Sequence, residues 1–524
     1  MMKLTILLIA SLLLMPIASI PAQTTEQYDL LIVNGRIIDG TGNPWFRGSV
    51  AVKNGRIVRV GKFGATARQV IDAKNQIVAP GFIDVHVHTE DVFSHPEAEN
   101  FIRMGVTSLI TGNCGGSVTD VAKFLGNYKE KPLAVNVATL IAHGSVRAKI
   151  MGLDDRAPTQ EEQQKMDALV EQGMKDGAVG LSTGLIYVPG TYAKTDEVVE
   201  LARVAAKYGG VYASHIRNEE GGVVDAVNEA INVGEQANIP VEISHFKIAS
   251  KRLWGQSPTT IGLVEAARKR GLTVTVDQYA YTASSTSLDS RLPGWALSGG
   301  RAEGRKRTAD PVTRAKIVDG MKAELKDRGF KDYSYAYVAS YNADAKFNGR
   351  NIAEITKEVR GKNKVGDQID QILDMYDKGG ASMVYRTMGE DDVQNIMRQP
   401  FTMIASDSGV REFGVGVPHP RGYGNNARVL GRYVREMKII TLEDAIRKMT
   451  SLPAQTFNLR DRGQIREGFA ADIVIFDPAT VGDKATFENP HQYAVGFSDV
   501  IVNGGLVFDG DKMTGTMSGQ ALRH

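Results

Sequence analysis

The chain has 524 residues, 42% of them hydrophobic and 23% charged, an ordinary globular composition with material for a large core. Its formal net charge is +2 and it has no basic block, so it lacks the electrostatic footprint of nucleic-acid binding and a polybasic membrane patch. Length alone suggests roughly two to four domains, although a barrel can absorb several hundred residues as one unit.

In chain order, residues 1–22 come first and differ from the rest. Lys3 gives a positive start, residues 4–14 are an almost unbroken apolar run, Pro16 breaks any helix, and the small residues Ala18, Ser19 and Ala22 follow. This pattern predicts a signal peptide cut near Ala22, and therefore a periplasmic or secreted protein. At roughly 11 residues the run is short for a bilayer span of roughly 20, so no stable membrane anchor is expected.

Residues 28–78 alternate short apolar runs with turns, and Asn-Gly at 34–35 and at 54–55 signals hairpins. Residues 455–524 have the same character, in ADIVIFDP and DVIVNGGLVFDG. The two ends are expected to build one small β-sandwich closed by both termini.

Between them, residues 79–454 alternate strand-like and helical runs. GFIDVHVH, VTSLITGNCG, AVNVATLIAHG, AVGLSTGLIY, VYASHIR, VEISHFK, TVTVDQYAY and FTMIASDSG are apolar on both faces, as buried parallel strands are. Eight such runs alternating with helices predict an α/β fold of the (β/α)8 TIM-barrel type. The first seven run ends lie roughly 28 to 39 residues apart, each gap enough for one βα unit. The last comes roughly 130 residues later, so an insertion at 290–395 is expected between strands seven and eight, as a lid-like body beside the mouth.

Five of the nine histidines, His86, His88, His143, His215 and His245, end strand-like runs. In a parallel barrel those ends share the face where active sites are built. His86 and His88 are two apart on one strand, so they point to the same side and can chelate one ion. The lone Cys114 has no partner for a disulfide, which leaves an inert core residue, a free thiol or a metal ligand.

The run ending in His86 and His88, with His215, His245 and Asp407 at later strand ends, resembles the amidohydrolase superfamily. Strand four, GLSTGLIY, lacks the lysine that bridges two metals in many of its members, and Cys114 offers a replacement with a good zinc-binding thiolate. GNCG, DGAVGLSTGLIYVPGTYAKTDE, SHIRNE, SHFK, YAYTASSTSL, ASDS and HPRGYG together resemble the D-aminoacylase (N-acyl-D-amino-acid deacylase) family. The resemblance implies a tight zinc held by Cys114, His215 and His245, and a weaker second metal at His86 and His88. It places Asp407 beside them as metal-linked general base and acid.

It also carries binding of the substrate carboxylate onto Lys247, Tyr281 and Arg421, with Ser287 adding a hydrogen bond. Between Asp407 and Arg421 this chain has a few residues more than the family pattern, VREFGVG. His143 is a candidate for contact with the substrate carbonyl or for support around Cys114, and equally for a satisfied structural histidine. Asp277 ends strand seven and matches no motif. The implied function is zinc-dependent hydrolysis of a linear amide in small N-acyl amino acids, with D-configured substrates implied by the family. An exported metallo-dipeptidase is the first alternative, and a non-catalytic ligand-binding relative is the second. The sequence leaves the oligomeric state open.

Overall fold

The computed structural model describes residues 27–524; the leader expected at 1–22 lies outside the described residues. Three parallel strands, Phe82–Asp84, Val106–Thr111 and Asn136–Thr139, open the barrel. Leu140 interrupts the third, which resumes at Ile141–Ala142. Gly180–Gly184, Val211–His215, Val241–Ile243, Val274–Gln278 and Thr402–Ile404 then follow in parallel order. The ring closes where Val87 pairs with Ser408 and the N–H of Asp407 donates to the carbonyl of His86. These strands are buried throughout because both faces are covered, by the barrel interior and by the surrounding helices.

The helices carry their own stop and start chemistry. Gln160–Lys175 begins with a capping box in which Thr159 and Glu162 satisfy each other's backbone N–H groups. Thr195–Ala206 and Val223–Ala237 each bury one apolar stripe against the strands.

Between the seventh and eighth barrel strands lie three antiparallel strands, Ser284–Ser287, Ala336–Ser340 and Ser382–Tyr385. Helices Arg301–Ala309, Pro311–Asp327, Ile352–Arg360 and Val365–Asp377 pack around a separate apolar core that includes Leu288, Ile317, Met321, Ile369 and Leu373. This body is tied to the barrel mouth. The Tyr192 hydroxyl donates to the Gly294 carbonyl (2.9 Å), and Arg328 donates to Glu220 (2.7 Å).

The terminal segments share one eight-stranded sheet, in which Ile77–Pro80 lies between Tyr28–Ile37 and Ile473–Phe476. The sheet rolls onto its own core: Arg56, opening the edge strand Arg56–Gly61, bridges to Ala470, just before Ile473–Phe476. Leu30, Val50, Ile57, Ile473 and Ile501 therefore meet in one cluster. The expected β-sandwich is thus a single rolled sheet. No helix among the described residues is long and apolar enough to cross a membrane.

Candidate metal centre and active site

The candidate ligands all sit at or just past the C-terminal ends of barrel strands. His215 is the last residue of Val211–His215, and His245 lies two residues beyond Val241–Ile243. Cys114, His245 and Asp407 each have a positive φ, of 53°, 36° and 52°. Side chains other than glycine and asparagine rarely adopt this conformation, and it turns each of these chains sharply at the mouth. The turn around Cys114 needs small neighbours: a Cβ at Gly184 would stand 2.0 Å from the Cys114 carbonyl oxygen. GNCG and STG are therefore the two sides of one close backbone approach.

Cys114 Sγ lies 3.5 Å from His215 Nδ1, 3.5 Å from His245 Nε2 and 3.2 Å from His86 Nε2. His215 Nδ1 and His245 Nε2 are 2.7 Å apart. Asp407 Oδ1 lies 3.3 Å from His88 Nε2 and 3.7 Å from His86 Nε2. These atoms form interlocking ligand groups, among them His86–Cys114–His245 and His86–His88–Asp407. Burial pushes the Cys114 thiol up, but charge on His86, His215 and His245 outweighs it and holds the thiol well below its usual range. Burial also opposes ionisation of Asp407, and the Arg421 guanidinium outweighs it, so this carboxyl too lies well below its usual range.

The donor set fits zinc. One soft thiolate and two imidazole nitrogens converge from three strand ends, and the sulfur–nitrogen spacings match the roughly 3.6 Å expected of two ligands on one tetrahedral zinc. The nitrogen–nitrogen spacing is tighter than the corresponding roughly 3.3 Å. Two lone-pair atoms at this distance call for a cation or a proton between them.

Two further carboxylates complete the cluster. Asp277 Oδ2 accepts from His86 Nδ1 (3.0 Å), and its other oxygen accepts from the His245 backbone N–H (3.0 Å). Glu219 faces His245 Nδ1 at 3.0 Å and takes the Lys247 ammonium. The sequence reading missed Glu219, although it stands four residues after His215 in SHIRNE, within reach of the same centre.

Two cavities meet at the centre. One of about 870 Å³ is lined by Cys114, Tyr187, His215, Lys247, Arg291 and Trp295 among others. The other, of about 600 Å³, is lined by His88, Ser287, Asp407, Arg411 and Arg421 among others. Arg421 is buried, with Nη1 2.8 Å from Asp407 Oδ2. That contact lies off the N–H axis, and neither Nη1 nor Nε finds a hydrogen-bond acceptor.

Two sequence expectations, at Tyr281 and His143, need correction. Tyr281 turns away from both cavities: Arg428 covers its ring and its hydroxyl reaches Asp483. Tyr279, two residues earlier, is the tyrosine whose ring lies under Arg421 (4.5 Å) and near Lys247 (5.8 Å). His143 starts helix His143–Met151, and its Nε2 binds Glu197 (2.8 Å) beside Arg147, so it serves a buried ion-pair cluster instead of the centre. Ser287 lines the smaller cavity together with Arg421, and Ser285, on the same strand face, lines both cavities.

A model of the amidohydrolase family matches residues 77–507. The D-aminoacylase of Alcaligenes xylosoxydans xylosoxydans is 35% identical over 523 residues, covering 95% of this chain and 98% of that one. The N-acyl-D-aspartate deacylase of the same organism is 33% identical, covering 95% of each chain. The N-acyl-D-glutamate deacylase of Bordetella bronchiseptica, solved with zinc and a phosphonate mimic of the tetrahedral intermediate, superposes with a TM-score of 0.82 at 33% identity. It covers 95% of this chain and 100% of that one. The chain belongs to the amidohydrolase family, in the D-aminoacylase group that these relatives define.

Proposed function

We propose that this protein is an exported, zinc-dependent N-acyl-D-amino-acid deacylase that hydrolyses the linear amide to a carboxylate and a free amino acid. The observation that carries it is the convergence of Cys114, His215, His245 and Asp407 at one barrel mouth, open to two cavities with a buried guanidinium in one. Family membership supports the amide chemistry. The N-terminal apolar run and its small-residue end support export.

Cys114, His215 and His245 would hold the tight zinc, with His86, His88 and Asp407 as the second position. Bound there, zinc supplies Lewis-acid polarisation of the scissile carbonyl and favours deprotonation of the attacking water. The remaining work falls to the chain's own residues. Asp407 stays ionised beside Arg421, so it can accept the proton that water loses as its oxygen bonds to the carbonyl carbon. It then returns that proton to the amide nitrogen as the C–N bond breaks, which turns a poor leaving group into a neutral amine. Arg421 presents free N–H donors to the substrate carboxylate, which a planar guanidinium binds bidentately. Tyr279 supports that guanidinium from below.

The test is amine release by the zinc-loaded mature protein from matched N-acetyl-D- and N-acetyl-L-amino acids and D- and L-dipeptides, with and without a chelator. Chelator-sensitive release from the N-acetyl-D series is expected. Release from dipeptides alone would move the assignment to a metallo-dipeptidase, and no release from any would favour a ligand-binding role.

A further inference from the structure

The larger cavity, of about 870 Å³, has the capacity of a site for a drug-sized ligand, far more than an acetyl group needs. Its position fixes which half of a substrate enters it. His88 and Asp407 line both cavities, so the metal centre stands between them, whereas Arg421 lines the smaller one only. An N-acyl amino acid with its α-carboxylate on Arg421 and its amide at the centre therefore sends its acyl chain into the larger cavity.

Beyond the centre, that cavity has an apolar wall built from two bodies. Ile186 and Val188 follow the fourth barrel strand and Leu153 follows helix His143–Met151, while Pro293, Trp295 and Leu297 belong to the inserted body. Trp295 is 42% exposed and the other five are half-buried, so a contiguous apolar surface is left uncovered inside the mouth. The seam between the bodies is fixed. The Gly299 N–H donates to the Leu153 carbonyl (2.9 Å), and Arg307 donates to the Ala296 carbonyl (3.1 Å). A wall held in this way is preorganised, so little ordering cost accompanies ligand binding. The charged groups on the same cavity are matched within the protein. Lys247 pairs with Glu219, Arg217 with Glu229 and Arg328 with both Glu220 and Glu324, and Arg291 lies 3.9 Å from Glu220. The wall therefore asks for no charge on the acyl chain.

We propose that the larger cavity is an acyl-chain site, and that the preferred substrate carries a medium-chain aliphatic acyl group such as hexanoyl in place of acetyl. This rests on the deacylase reading and names the acyl half of its substrate. Each methylene that leaves water for the surface of Leu153, Val188 and Trp295 favours binding through the apolar area it buries.

The test follows kcat/KM of the zinc-loaded wild type along acetyl, butanoyl and hexanoyl derivatives of D-alanine and of D-glutamate. On the amino acid that is accepted better, kcat/KM should rise by about threefold to fourfold per methylene. Trp295→Ser and Leu153→Ser should each lower the hexanoyl-to-acetyl ratio by about tenfold. A flat or falling series, or variants that leave that ratio unchanged, would overturn the proposal. Calorimetric titration of the Asp407→Asn protein with N-hexanoyl- and N-acetyl-D-alanine separates this from failure of the deacylase reading, because it needs no turnover. Tighter binding of the hexanoyl compound that depends on Trp295 supports the acyl site even if no amide is cleaved, and equal binding overturns it.

Discussion

Two buried polar clusters sit on the barrel, and they are balanced in opposite ways. At the start of the third barrel strand, Asp472 accepts from Arg462, from the side chain of Asn136 (3.0 Å) and from the backbone of Asn503 (2.7 Å). Asn136 in turn accepts from Asn503 (2.7 Å) and from the backbone of Gln520 (3.0 Å). Nearly every donor there meets an acceptor, and the ring ties barrel, rolled sheet and C-terminal tail together. At the mouth, by contrast, thiolate and imidazole lone pairs face one another, three ligand-bearing residues have strained backbone, and a buried guanidinium lacks acceptors. A closed network stabilises the fold, whereas an open one waits for a cation and an anion from outside.

Breaking each cluster should therefore give opposite phenotypes. The largest effect is expected at the mouth. Asp407→Asn should cut kcat by about 10²- to 10⁴-fold while the tight zinc at Cys114, His215 and His245, read by mass spectrometry of the intact protein, stays bound. A variant within tenfold of wild type would remove Asp407 from proton transfer.

Arg462→Met attacks the closed cluster and leaves Asp472 buried without its cation. Stability should fall by about 3–5 kcal/mol, measured by denaturant unfolding, with kcat of the folded fraction unchanged. Unchanged unfolding would mean that the amide donors around Asp472 suffice, and the contrast between the clusters would fail.

The smallest effect sharpens the comparison from inside the mouth. Asp277→Asn removes the carboxylate that orients His86, so competition against a chelating dye should show metal affinity weaker by about 10- to 100-fold. An unchanged affinity would reduce Asp277 to a packing residue.

Much of this was legible because the barrel writes its own period. Both-face apolar runs ending in His, Cys or Asp marked the strand ends, and a strand end in a parallel barrel has only one face to go to. Asp277 was visible as a strand end but not as a partner of His86, because their pairing crosses the barrel. The YAY pair offered two tyrosines, and only the turn after Val274–Gln278 decides that Tyr279 faces Arg421 while Tyr281 faces the C-terminal segment. His143 has the same strand-end signature as the true cluster members, yet the helix that begins with it turns its ring toward Glu197.

The sequence by itself determined the alternation of strand and helix, the order of the ligand residues and the family to which they belong, since these follow from local hydrophobic period and residue chemistry. Tertiary structure decided which polar groups share a counter-charge. Glu219 with Lys247 and Asp407 with Arg421 are outcomes of distance and burial, and charges far apart along the chain reveal their balance only when folding removes the water between them.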